Sequence, residues 1–262
     1  MSDANSIIIT TGLHEPEFRL KSLINSVLPF IKKNLERIIV SCTRETDENV
    51  IKFLKKNSFI VSVPKDDSRL GGYLHAIKEA ILNVEKLTTQ RILYIDFDRL
   101  IHWLNEYPDE FIKIVLEAQN TELLHLGRSE RAFHSHPETQ THTERIVNFL
   151  GSEALNLPKT RDLISVCYSF PVHLADLIVN KRYTTEMGFY VAWPVILWSY
   201  AKEKKYIEVE GLEWETPDRF QKEIEESGYD QWLEKFQSAE EWKKRVNLLE
   251  DCVLELNQLL KS

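Results

Sequence analysis

The sequence predicts an α/β protein: a mostly parallel sheet with helices on both faces and a helical C-terminal region. Two observations carry this. Short β-branched runs alternate with stretches of helical period through the first half of the chain, and strands spaced in this way need crossover connections. The composition is that of a folded globular protein, with 43% hydrophobic and 28% charged residues over 262 positions, 6 Trp and 12 Phe.

Residues 6–10 (SIIIT) form a buried strand that stops at Thr11 and Gly12. Leu20, Leu23, Ile24, Val27, Leu28 and Ile31 then follow helical spacing, with Pro29 expected to kink or shorten the last turn. The second strand is residues 37–41 (RIIVS), and Thr46 is expected to cap a helix carrying Val50, Phe53 and Leu54 on one face. Residues 59–63 (FIVSV) lead through a turn at 64–68 into a third helix, where Gly72, Ala76 and Ala80 form a small-residue stripe suited to close approach to the sheet. Residues 91–95 (RILYI) are the fourth strand; a helical stretch over 100–118, interrupted near Pro108, precedes a fifth at 122–126.

Past that point the alternation fades. Residues 128–143 read as a His-rich polar loop, 163–200 as mixed segments and 206–212 as a strand. Trp242, Val246, Leu249, Val253, Leu256 and Leu260 make a stripe by which one C-terminal helix would dock on the body of the chain or on a partner, giving a route to an oligomer. The reading is a single domain, 1–262, with a regularly alternating half at 1–126 and a second half with C-terminal helices at 127–262.

A formal charge of −8 and a pI of about 5.6 oppose non-specific binding to nucleic acid or anionic lipid. No run approaches the ~20 apolar residues of a membrane span, and the polar start carries no basic, then apolar, leader. Cys42, Cys167 and Cys252 lie far apart without metal-ligand spacing. A cytoplasmic protein is expected.

Parallel sheets bind ligands beyond the carboxyl ends of their strands, so the strand tips are where chemistry is sought. The sharpest signal there is YIDFDR, residues 94–99, in which Asp96 and Asp98 leave a buried strand one residue apart. Such a pair can hold a divalent cation and a neighbouring group. The plain alternative is that Asp96 caps the next helix while Asp98 pairs with Arg99 or another cation.

With these residues in order, the chain resembles the nucleotide-sugar glycosyltransferases of the GT-A fold, in particular family-2-like members. The resemblance rests on the acidic residue after the first strand with EFRLKSLINSVLP at 17–29, Thr46 and Asp47 opening the second helix, Gly72 and Ala76 in the third, and Asp96-Phe97-Asp98. It covers about the first half of the chain. It implies a Rossmann-like GT-A sheet, a UDP- or GDP-sugar donor, a hydroxyl acceptor, and Mg²⁺ or Mn²⁺ on Asp98 with Asp96 on the metal or the donor's ribose. Thr11, Gly12 and Glu15 would border the donor, and Arg69 and Arg128 would face its phosphates. Two departures leave the donor base open: Thr10 to His14 stand before Glu15 where the family shows a proline and a glutamate pair, and Ser41 or Cys42 replaces the base-reading aspartate.

Inverting transfer needs a carboxylate in reach of the acceptor hydroxyl. Glu186 is the candidate base, with Glu213 and Glu215 as rivals. His134, His136 and His142 are candidate metal nitrogens, although a separate zinc site lacks the usual cysteine spacing; a loop over the donor bearing Arg128 and Arg131 is the preferred reading. The alternatives to a transferase are a non-catalytic GT-A-like binding module and a sugar-phosphate nucleotidyltransferase, whose Gly-rich basic signature is missing from TTGLHEPEFR.

Overall fold

The computed structural model describes residues 7–66, 68–84 and 91–261. The first residue of the expected first strand, Ser6, and one residue of the expected turn, Asp67, lie outside them. In chain order the elements are β1 (Ile7–Leu13), α1 (Lys21–Asn34), β2 (Ile38–Cys42), α2 (Glu48–Lys56), β3 (Ile60–Ser62), α3 (Arg69–Asn83) and β4 (Arg91–Tyr94). There follow α4 (Phe97–Glu106), α5 (Pro108–Asn120), β5 (Leu123–Arg128), α6 (Glu130–His134), α7 (Glu138–Ala154), β6 (Tyr168–Pro171), α8 (Val172–Asn180) and α9 (Phe189–Tyr200). The chain then runs through β7 (Lys204–Val209), α10 (Gln221–Ser227), α11 (Tyr229–Glu234) and α12 (Ala239–Leu259).

The strands described form one seven-stranded sheet in the order β3-β2-β1-β4-β6-β5-β7. β6 is antiparallel to β4 and β5, and the other pairings are parallel. Side chains alternate across each strand: Ile7 and Ile9 enter a core shared with α1, α2, α4 and α5, and Ile8 enters one shared with α3, α8, α9 and α12. Gly12 pairs with Ser41 and Leu13 with Cys42, so β1 and β2 end level with each other.

The expected α/β sheet is present, with local corrections. β1 continues through Leu13, which moves its tip to His14 and Glu15. α1 runs on past Pro29 to Asn34. Asp47, not Thr46, caps α2 by accepting from the Asn49 N–H at 2.6 Å; Thr46 is buried and bonds back to the Leu13 carbonyl at 3.3 Å. In α3, Ala76 and Ala80 are fully buried, and the Thr10 hydroxyl donates to the Ala76 carbonyl at 2.7 Å, so the small-residue stripe does seat this helix on β1. Gly72 need not be small for that approach, since a methyl there would meet nothing within 4 Å, but its carbonyl accepts from the Ser41 hydroxyl of β2 at 3.4 Å.

The largest correction is in the second half. The expected His-rich loop is helical, forming α6 and α7, and the Nδ1 atoms of His134 and His142 lie 2.8 and 2.9 Å from the carbonyls four residues earlier in their own helices. α12 does dock on the body, against α7 and α9. Its buried face is Leu248, Cys252, Glu255 and Leu256, whereas Val246, Val253 and Leu260 of the expected stripe are exposed. Among the described residues no helix is long and apolar enough to cross a membrane.

Candidate active site

The ends of β1, β2 and β4 open into one cavity of ≈ 1000 Å³. Of the residues singled out in the sequence, Gly12, Glu15, Arg69, Asp96, Asp98 and Glu186 line it, joined by Glu215. Thr11 and Arg128 do not. Thr11 is buried inside β1. Arg128 is held by Asp162, through Nε at 2.7 Å and Nη2 at 2.9 Å, and by Glu144 at 2.6 Å. A guanidinium so enclosed ties β5 to α7 and is withheld from a ligand in the cavity. Arg131 likewise pairs with Glu210 and Glu213 outside the cavity lining.

Asp96 stands at the N-cap position of α4, yet its carboxylate makes no cap hydrogen bond. Oδ2 accepts from the Tyr73 hydroxyl at 3.2 Å and Oδ1 from Tyr94 at 3.1 Å. Burial pushes its pKa up; Asp98 adds to this, while Arg99 and Arg69 oppose it. Asp98 accepts from the Arg99 N–H at 2.9 Å through Oδ1 and from Arg219 Nη2 at 3.0 Å through Oδ2. The same Arg219 pairs through Nη1 with Glu15, whose other oxygen accepts from the Arg19 N–H at 2.8 Å. One guanidinium therefore bridges the carboxylates that follow β1 and β4.

At the start of α3, Ser68 caps the helix by accepting from the Gly71 N–H at 3.0 Å. The Arg69 N–H donates to Glu186 at 2.7 Å, and its guanidinium donates to the Tyr190 hydroxyl at 2.8 Å. Glu186 comes from a loop fastened to α12: Glu255 accepts from the Thr184 N–H at 2.7 Å and Asp251 from the Met187 N–H at 3.1 Å.

Glu215 and Arg219 arrive on the segment that follows β7. Glu110 accepts from the N–H groups of Glu210 and Gly211 at 3.0 and 2.9 Å, and Gly211 packs on the Trp103 ring where a side chain would clash. His102 lies between Asp218 at 2.8 Å and Glu213 at 3.1 Å; Tyr107 also donates to Glu213 at 3.0 Å. Glu213 is thus committed outside the cavity lining. Glu215 faces Arg99 Nε at 3.6 Å, and burial raises its pKa, with Asp98 adding to the effect and Arg99 opposing it. Arg99 in turn donates to the Ser165 carbonyl at 2.5 Å, beside Val166, whose φ of 54° is a strained conformation for a β-branched residue.

Among the described residues, no three His, Cys, Asp or Glu side chains come together as a metal cage. His136 is buried, and burial holds its pKa well below the usual value. Mg²⁺ and Mn²⁺ ions that act on phosphates commonly take one or two protein carboxylates, the phosphates and water. Asp98, partly exposed in the cavity with Asp96 beside it, fits such a shared ion; Arg219 occupies its Oδ2.

Arg219 and Tyr73 were not among the residues expected from the sequence, and Arg99, the last residue of YIDFDR, was considered only as a partner for Asp98. Arg219 and Tyr73 are isolated residues without a local motif, and only the tertiary fold brings them to the strand tips.

No protein-family model matches the chain, and no curated protein matches it by sequence. Solved structures do match. Glucosyl-3-phosphoglycerate synthase from Mycobacterium tuberculosis, in complex with Mn²⁺, UDP and glucosyl-3-phosphoglycerate, aligns with a TM-score of 0.50 at 11% identity, over 78% of this chain and 70% of that one. The complex of that synthase with Mn²⁺, UDP-glucose and phosphoglyceric acid gives 0.50 at 11% identity, over 78% and 69%. A mycobacterial protein gives 0.52 at 11%, over 78% and 65%. At that identity the likeness is one of architecture, and with the strand order it establishes that the chain has the GT-A fold of the glucosyl-3-phosphoglycerate synthase structures.

Proposed function

We propose that the chain transfers a sugar from a nucleoside-diphosphate donor, UDP- or GDP-linked, to a hydroxyl acceptor, with Mg²⁺ or Mn²⁺ shared between Asp98 and the donor phosphates. The observation that carries this reading is the convergence of Asp96, Asp98, Arg69 and Arg219 on one cavity at the carboxyl ends of parallel strands. Two carboxylates flanked by two guanidiniums suit a cation and a diphosphate together, and suit either one alone less well. Residues 1–126 would then bind the donor and 127–262 the acceptor, in a cytoplasmic enzyme whose three cysteines are buried and free.

The departing nucleoside diphosphate develops negative charge, which a divalent cation neutralises when bound. The chain's own contribution is to fix the partners. Asp96, braced by two tyrosine hydroxyls, is positioned for a ribose hydroxyl or the cation. Arg69, on the first turn of α3, supplies a fixed positive charge and a helix N-terminus facing the phosphates. For the acceptor proton, an inverting displacement needs a carboxylate base. Glu186 is engaged with the Arg69 N–H, while Glu215 is buried in the cavity wall with a raised pKa, which favours Glu215 as the group that takes the proton.

A binding module without transfer is the second reading, favoured by the ion pair that Arg219 makes on Asp98. The test is thermal unfolding with UDP, GDP and their sugars, with and without Mn²⁺, because a ligand of the native state raises the midpoint. A Mn²⁺-dependent rise with one nucleotide, absent in Asp98→Ala, is expected. No rise with any nucleotide would overturn the metal-diphosphate reading. Binding without sugar transfer to water or added acceptors would select the module.

A further inference from the structure

The side chain best placed to control the site is one that blocks it. Arg219 lines the cavity with its guanidinium between Glu15, whose side chain is 1% exposed, and Asp98, whose side chain is 25% exposed. Of the other arginines in the cavity wall, Arg99 donates to the Ser165 carbonyl and faces Glu215, and Arg69 donates to the neutral Tyr190 hydroxyl, whereas the Arg219 guanidinium contacts Asp98. Arg219 is carried on the short turn 216–219, fastened from behind by the His102–Asp218 pair. Its position can change without unwinding a strand or a long helix.

We propose that Arg219 is an intramolecular counter-ion that competes with a divalent cation for Asp98, and that a diphosphate entering the cavity takes up the guanidinium and relieves the competition. This rests on the reading of the donor as a nucleoside diphosphate. The physical argument is charge balance. Two carboxylates facing one cavity need a cation nearby, and here the chain supplies it as a forked guanidinium that matches carboxylate geometry. A divalent ion arriving on Asp98 meets a like charge at about 4 Å or less, where repulsion is strong in a partly buried site. A diphosphate removes that conflict, since it accepts hydrogen bonds from the guanidinium and shares the ion with Asp98. Glu15 keeps the Arg19 N–H when Arg219 leaves. Cation and diphosphate therefore bind as a pair, and the ion alone binds poorly.

The test measures Mn²⁺ binding to the full chain without nucleotide, from the electron paramagnetic signal of the free ion, for wild type, Arg219→Gln, Arg219→Lys and Asp98→Ala. Unfolding midpoints verify that each variant is folded. Arg219→Gln is expected to bind Mn²⁺ alone at least about 5-fold more tightly than wild type, and to bind UDP or GDP in the presence of Mn²⁺ about 10-fold more weakly. Arg219→Lys, which keeps the charge and loses the fork, is expected to lie between. Asp98→Ala should abolish Mn²⁺ binding. Mn²⁺ affinity in Arg219→Gln and Arg219→Lys equal to wild type would overturn the competition. Failure of wild type to bind any nucleotide with Mn²⁺, while Arg219→Gln still binds the ion more tightly, would overturn the donor reading and the diphosphate step but leave the competition standing.

Discussion

Asp96 and Asp98 leave the end of β4, a strand with a neighbour on each side and an apolar core on each face. Glu215 and Arg219 face them from a segment with no strand and only a short turn, tethered by Glu110, His102 and Tyr107. One side of the cavity is positioned by burial, and the other adds ion pairs to the packing of Leu212, Trp214 and Phe220. Burial is indifferent to pH and salt over the range in which a protein works, whereas ion pairs respond to both. The returning segment is therefore the half whose charge-held contacts should respond to pH and salt.

The largest effect that could break this comparison is at the buried ions behind β5. Asp162 accepts from the Arg128 N–H at 2.9 Å, from its guanidinium, and from Asn148 at 3.0 Å. Burial opposes its charge, but Arg128 outweighs that and lowers its pKa to about 2. Its stabilisation is present above the unfolded carboxylate range and lost only as the pH falls toward 2. Asp162→Ala leaves Arg128 buried with Glu144 alone and should destabilise by about 3–5 kcal/mol. Urea unfolding followed by circular dichroism measures this. A loss below about 1 kcal/mol would mean that the second half is held by packing like the first.

The same division decides what was legible in the sequence. β1 to β4 and their helices stood out because each buries apolar side chains at a period of its own. α7 did not, because its buried face is largely polar: Glu144 and Asn148 serve the Arg128 network, and Thr139 donates to the Phe236 carbonyl. A hydrophobic period cannot report a face that is buried against charge. β6 was missed because Tyr168–Pro171 is only four residues long and is buried throughout, so it has no alternation to display. On α12 the apolar stripe misled because Glu255 occupies a core-facing position to hold the 184–185 backbone. Of the residues lining the cavity, those on or next to the regular elements, Gly12, Glu15, Arg69, Asp96 and Asp98, were singled out in the sequence, and Glu186 with them. Arg219 was not, since nothing local distinguishes it from a surface arginine.

A sharper probe of the charge-held side is His102. Burial disfavours its charged form, but the hydrogen bonds to Asp218 and Glu213 prevail and raise its pKa from 6.5 to about 9. A folded-state pKa above the unfolded one means that the stabilisation is complete below about pH 6.5 and is lost as the pH rises through about 9. Wild-type stability in urea should therefore fall across that window, and His102→Gln should flatten this part of the profile. Parallel profiles for the two proteins would remove His102 as the tether of the returning segment.

Arg131 should give the smallest effect, and its size bears on how the segment is held. Its guanidinium donates to Glu210 at 2.6 Å, to Glu213 and to the Tyr107 hydroxyl at 2.8 Å, a dense set of contacts for one side chain. Yet that side chain is 53% exposed, so water and salt already screen what it gains. Glu213 also keeps His102 and Tyr107 when Arg131 is removed. Arg131→Ala should cost only about 0.2–1 kcal/mol at low salt, and the difference should shrink toward zero at about 1 M salt. Were the loss to exceed that of Asp162→Ala, or to persist in high salt, the returning segment would hang on its outer charges, and the buried His102 pair would be a consequence of the closure, not its cause.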